Sequence, residues 1–309
     1  MNDTTTASPR VSAWLSHVHA LAVDIGPRGP TRSGEREGAL YAQAQFERMG
    51  LKPAFETFQS ARSIFHPHLL GSSLMLVAFI IFPLGGKVTA AIAALLSIFV
   101  VVCELLELSF QNNPFRWVVP KGESQNVFAM IPPKGEHKRD LVLVGHLDSQ
   151  RTPIIFSSRR WVKAYDRFTM VVFASFIWQI IIYSLSIFLN IPWAWYASIP
   201  TAACAFLLGL MCIQAEATPF TAGANDNASA VGMVLALAEE FASQPLQHTR
   251  VYAVCTGCEE VQHYGMIDFY KQHLRELKNP TALVFEMLGV AGPSWLTKDC
   301  CSLRSWWKE

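Results

Sequence analysis

Residues 141–149 read LVLVGHLDS: four branched apolar residues, a glycine, and then a polar turn that opens with His146. A continuous apolar run bounded in this way is the pattern of a strand buried on both faces of a parallel sheet. Two later stretches repeat it. TRVYAVCTGCEE (249–260) is expected as a second buried strand and TALVFEMLG (281–289) as a third. Before them, NASAVGMVLALAEEFAS (227–243) sets apolar positions 231, 234, 235 and 238 on one helical face. Nearer the start, 34–57 reads as a helix and then a strand. Leu40, Ala44, Phe46 and Met49 recur at helical spacing, Gly50 stops the helix, and Pro53 favours an edge position for the strand. Together these elements predict an α/β fold, with a mixed, mostly parallel sheet flanked by helices.

Two apolar blocks interrupt this frame. The chain is 51% apolar with a mean hydropathy of +0.25, high for a soluble enzyme, and the excess is concentrated in the blocks. The first runs from Leu69 to about Cys103. Gly85-Gly86-Lys87 divides it into spans of roughly 16 residues, short against the ~20 that cross a hydrocarbon core. Glu104 and Glu107 bound its far end. In the second block Thr169–Asn190 and Trp193–Ile213 each supply ~20 nearly uncharged residues. Asn190-Ile191-Pro192-Trp193 makes the turn, with Trp193 and Trp195 placed like an interfacial aromatic belt. Both blocks read as transmembrane hairpins inserted into a soluble domain, the first with a pair of buried or re-entrant helices as its alternative. The expected organisation is 1–63, 111–160 and 216–309 in that domain, with hairpins at 64–110 and 161–215.

Hairpins leave the soluble parts on one side of the bilayer. Arg62, Arg116, Lys121, Arg159, Arg160, Lys163 and Arg167 flank the spans on that side, and Lys87 alone lies at a hairpin tip. The positive-inside rule then predicts an integral protein of the inner or plasma membrane with its soluble domain in the cytoplasm. Seven cysteines, an odd number with several inside apolar runs, fit a reducing compartment better than a disulfide framework. The polar start MNDTTTASPRVSAWL lacks the basic and apolar regions of a cleavable signal peptide. A net charge of +1 offers no electrostatic basis for binding nucleic acid.

The ends of the expected strands carry the chemistry. Alternation along the first puts His146 and Asp148 on the same side, so a carboxylate can orient the imidazole as it does behind metal-bound histidines. Gly223-Ala224-Asn225-Asp226-Asn227 precedes the helix. Capping needs one such polar residue, which leaves Asp226 available to offer both its oxygens to metal. Glu259 and Glu260 repel each other at the end of the second strand. A cation relieves one of them, and the other is then free to serve as a general base. Glu286 lies within the apolar run of the third strand, where an unpaired carboxylate would be costly. These donors suit zinc.

In order along the chain, RSGEREGALYAQAQFERMGLKPAFETF, SQNVFAMIPP, LVLVGHLDS, GANDNASAVGMVLALAEEF and TGCEEVQHYGM resemble the M28 family of zinc aminopeptidases. The similarity covers about 28–60 and 122–292, apart from the second hairpin. It implies that His146 ligates one zinc, Asp226 bridges two, Glu260 ligates the second, Glu259 is the general base and Asp148 orients His146. Where the family has an Asp ligand, Glu286 stands, with a side chain one methylene longer. The family's last ligand is a His well downstream, a place that His248, His263 and His273 do not fill. The ending TKDCCSLRSWWKE is unlike the continuation of an α/β domain, so the chain is expected to stop short of the fold's last strands, to leave the second zinc only Asp226 and Glu260, and to bind one metal weakly or none. The activity implied is removal of N-terminal residues from peptide substrates at a membrane surface. One rival is an inactive peptidase-like binding or scaffolding module. A transporter is a second, disfavoured because the spans carry almost no ionisable residues.

Overall fold

The structure, a computed structural model, describes residues 8–289. The ending 297–309, and the expectation attached to it, lie outside the described residues. The described chain divides into two compact units. One comprises 8–62, 121–151 and 220–289, the other 63–120 and 152–219.

The first unit is built on a five-stranded sheet. Its strands are β1 (Ala54–Ala61), β2 (Lys121–Ile131), β3 (Arg139–His146), β4 (Thr249–Thr256) and β5 (Thr281–Val284), in the spatial order β1-β2-β4-β3-β5. β1 pairs antiparallel with β2 and β2 antiparallel with β4, whereas β3 runs parallel to both β4 and β5. The sheet is therefore mixed in equal parts rather than mostly parallel. The antiparallel share comes from β2, which receives β1 as the edge strand that Pro53 suggested.

Helix Ser229–Ser243 packs on the sheet through Val231, Val234, Leu235 and Ala238, all fully buried among Leu143, Val251, Ala253 and Cys255. Helix Ser33–Arg48 buries part of the expected stripe, with Phe46 in the core and Met49 packed against it, but not Leu40. Glu35, Ala39, Ala42 and Phe46 face inward and Leu40 is exposed. The small side chains of Gly38, Ala39 and Ala42 let this helix sit close to its neighbours, and bulky Leu40 falls on the far face. β5 is another correction. It ends at Val284 and is largely exposed, so Glu286 lies beyond the strand and is itself exposed.

The second unit is helical. Four of its helical segments are long and apolar enough to cross a membrane: Phe65–Leu84, Gly86–Leu108, Arg159–Phe188 and Ile199–Glu216. The first two are 20 and 23 residues long, not roughly 16. They outrun the apolar block because the polar residues at their ends find partners. Glu104 Oε2 lies 2.7 Å from His68 Nδ1, and Glu107 accepts hydrogen bonds from Arg116 Nε at 2.8 Å and Asn113 Nδ2 at 2.6 Å. Pairing of this kind lets ionisable side chains remain inside an apolar bundle. Deeper in the unit, Gln179 Nε2 donates to Ser97 Oγ at 3.1 Å.

Candidate metal centre

His146 is the last residue of β3 and is almost fully buried. Its Nδ1 lies 3.1 Å from the Asp148 carbonyl oxygen and 3.3 Å from Asp148 Oδ1. The other ring nitrogen, Nε2, faces three carboxylates: Asp226 Oδ1 at 3.3 Å, Glu286 Oε2 at 3.5 Å and Glu259 Oε2 at 3.6 Å. Burial disfavours the imidazolium, but Glu259, Asp148, Asp226 and Glu286 outweigh it and hold the His146 pKa well above its ordinary value.

Asp148 is fully buried and accepts from the backbone N–H groups of Glu259 at 3.0 Å and Glu260 at 2.9 Å. One carboxylate thus ties the end of β3 to the turn after β4. In that turn Cys258, Gln262 and His263 all adopt left-handed backbone conformations, so the chain reverses tightly and both glutamates stay beside His146. The two adjacent acids are tuned apart. Burial opposes ionisation of Glu259, yet His146 and His263 draw its pKa down to about 2. Burial raises Glu260 to about 9, with Asp148, Asp226 and Glu259 reinforcing it against His146. The repulsion expected of the pair therefore falls on Glu260, whose Oε2 accepts from Gln150 Nε2 at 2.8 Å.

Asp226 sits in the loop 223–228, ahead of helix Ser229–Ser243. Its polar neighbours are committed elsewhere. Asn225 Oδ1 accepts from Gly289 N at 2.8 Å, and Asn227 Nδ2 donates to Glu286 Oε2 at 3.0 Å. Asp226 alone turns toward His146.

His146, Asp226 and Glu260 each bring one ligand atom to within 4.8 Å of the others, the one such group found among the described residues. Glu260 Oε1 is buried with no hydrogen-bond partner, and Asp226 Oδ1 is buried with only the 3.3 Å approach of His146 Nε2 in place of a well-formed hydrogen bond. Two such carboxylate oxygens facing an imidazole nitrogen form a donor set short of a cation, and O and N donors suit zinc. The residues present fit the metal. Glu286 stands near His146 but outside that group, and its side chain is 42% exposed. Burial therefore does not force it to pair with a metal, contrary to the expectation from its apolar flanks.

Three features of the site escaped the sequence reading. His263 Nδ1 pairs with Glu259 Oε1 at 2.8 Å. Glu35 is fully buried and accepts from Cys258 N at 2.8 Å, Thr31 N at 2.9 Å and Ser124 Oγ at 2.9 Å. Burial, reinforced by Asp148, raises its pKa to about 8. Arg28 is fully buried behind the β3 end. Cys255 and Cys258 have a C-x-x-C spacing, but both thiols are free and buried, and burial pushes Cys255 up to about 12 and Cys258 well above its usual value.

The peptidase family M28 model matches residues 210–306, which carry Asp226, Glu259, Glu260 and Glu286. No curated protein sequence matches the chain. Among solved structures, similar folds include a glutaminyl cyclase of Fimbriiglobus ruber (13% identity, 89% of this chain and 60% of that one, TM-score 0.45). A leucine aminopeptidase precursor of Bacteroides thetaiotaomicron is also similar (12% identity, 91% and 62%, TM-score 0.46), as is an aminopeptidase of Aneurinibacillus sp. strain AM-1 (11% identity, 90% and 70%, TM-score 0.46). The chain spans 60% of the length of the first and 62% of the second. The family that the motifs resemble and the family matched over residues 210–306 are the same one, peptidase family M28.

Proposed function

We propose that the chain is a zinc-dependent exopeptidase that removes N-terminal residues from peptides at a membrane surface. The observation that carries this reading is the meeting of His146, Asp226 and Glu260 within 4.8 Å, two of them with buried oxygens that lack a well-formed hydrogen bond, directly beside the paired Glu259. Zinc held by His146, Asp226 and Glu260 would polarise the scissile carbonyl and acidify the attacking water.

The remaining work falls to the protein's own groups. Glu259 has one oxygen, Oε1, committed to His263, which leaves Oε2 to take a proton from the attacking water and return it to the leaving amine. Asp148 and the peptide groups of 259 and 260 hold the base and the Glu260 ligand in register with His146. The four apolar helices, together with basic residues near the span ends, four of them in the first turns of Arg159–Phe188, support insertion in a bilayer with the soluble part on the cytoplasmic side.

The decisive variant is Glu259→Gln. It is isosteric and lies outside the three-residue ligand group, so zinc stoichiometry should stay at the parent value. Turnover of aminoacyl or dipeptide substrates should fall roughly 10²- to 10⁴-fold, the usual worth of a positioned base. Unchanged turnover with zinc bound would remove Glu259 from the reaction.

The second reading is an inactive peptidase-like binding module. What favours it is the small ligand group, three residues among those described. Fewer than one zinc per purified chain would support it.

A further inference from the structure

We propose that Arg28 is a positioning residue of the candidate metal centre: its guanidinium holds the β3 end and the 222–226 loop at the spacing that brings His146 to Asp226. This rests on the zinc reading given above.

Arg28 is fully buried, and its guanidinium touches no carboxylate closely enough to form an ion pair among those described. It donates instead to five backbone carbonyls. Nε bonds Leu147 O at 2.8 Å, Nη1 bonds Leu21 O at 2.6 Å, Gly26 O at 2.8 Å and Ala222 O at 2.9 Å, and Nη2 bonds Gly223 O at 3.0 Å. Leu147 is the residue between His146 and Asp148. Ala222 and Gly223 open the loop that carries Asp226. The backbone of Arg28 adds to the tie: its N–H donates to Ser149 Oγ, and its carbonyl accepts from Ser149 N, each at 3.0 Å. Ser149 Oγ in turn donates to Thr221 O at 2.9 Å.

Gly223 shows how tightly the guanidinium is seated. It is left-handed (φ +60°), and a Cβ there would come within 2.9 Å of Arg28 Nη2. Only a planar fork with several fixed N–H directions can serve carbonyls from segments so far apart in sequence, and a lysine ammonium cannot. Burial lowers the Arg28 pKa to about 10, opposed by Asp148 and Asp226. The group therefore stays charged at neutral pH, with its field falling on the carboxylates that face the metal position.

The test uses the full chain in detergent with cobalt(II) as the probe, comparing the parent with Arg28→Lys and Arg28→Ala. We expect cobalt affinity to fall roughly 10- to 100-fold, the range for groups that orient ligands, and the visible cobalt band to shift. Metal-free Arg28→Lys should stay folded with a lowered melting temperature, since buried carbonyls lose a donor, and added ethylguanidinium should restore the parent spectrum to Arg28→Ala. Parent-like affinity and spectrum in both variants would overturn the assignment. So would loss of folded structure in both metal-free variants, which would place Arg28 in the stability of the frame. A parent chain that binds no cobalt would instead sink the zinc reading and the Arg28 assignment with it.

Discussion

At Asp148 one buried carboxylate meets three demands at once. It accepts two backbone N–H groups from the Glu259–Glu260 turn and lies 3.3 Å from the Nδ1 of His146. Asp148→Asn replaces one acceptor oxygen with an NH₂, which must then face either a backbone N–H or the imidazole nitrogen. A buried donor left facing a donor loses its hydrogen bond and stays desolvated. We expect zinc affinity to fall roughly 10- to 100-fold, read by competition with a chromophoric chelator. An unchanged affinity would mean that the orientation of His146 rests on the Asp148 main chain alone. The residues legible in the sequence were those that end strands or precede a helix, because an acid or a histidine there breaks an apolar pattern: His146, Asp148, Asp226, Glu259 and Glu260. Arg28 and Glu35 were not legible. They lie in a polar stretch where charge is unremarkable, and only the tertiary fold brings them behind the strand ends. His263 was weighed only as a missing ligand, since nothing local announces the left-handed turn that brings its ring onto Glu259.

Between elements, a tight approach near the site occurs at Gly145. A Cβ on this residue would stand 2.9 Å from the Ala230 carbonyl carbon and 2.9 Å from Val231 N, so β3 meets helix Ser229–Ser243 backbone to backbone. Gly145→Ala must push the helix away or bend the strand one residue before His146. Overpacking of this kind costs typically 1–3 kcal/mol, and the predicted outcome is a lower thermal midpoint with cobalt binding weakened as well. A midpoint equal to the parent's would show that the helix yields without cost. This helix was readable in advance because its apolar positions recur at helical spacing and all four are buried. The edge placement of β1 was readable from one proline. β2 was harder to foresee, because an antiparallel partner arriving from beyond the first hairpin leaves no local mark. Span lengths were underestimated for a related reason: Glu104 and Glu107 look like span ends until His68 and Arg116 are seen beside them.

For the molecule as a whole, the proposed insertion in a bilayer rests on what the helical unit exposes. Ile80, Leu84, Val88, Leu95, Leu105, Met170 and Phe188 are each more than half exposed. They lie on segments whose mean hydropathy runs from 1.8 to 2.5. Single exposed leucines are ordinary on soluble proteins, but apolar surface repeated along several long helices is not, since contiguous patches on soluble monomers rarely exceed a few hundred Å². A bilayer removes that penalty, and helices satisfy their own backbone hydrogen bonds within it. The full chain should therefore stay with the membrane pellet through an alkaline carbonate wash and enter solution only with detergent, keeping its cobalt spectrum when extracted mildly. Peripheral attachment through the basic residues beside the spans predicts the opposite, because high pH and salt weaken contacts between exposed charges. Recovery of folded, cobalt-binding protein in the carbonate supernatant would rule out the hairpins as spans and leave them as a soluble helical unit.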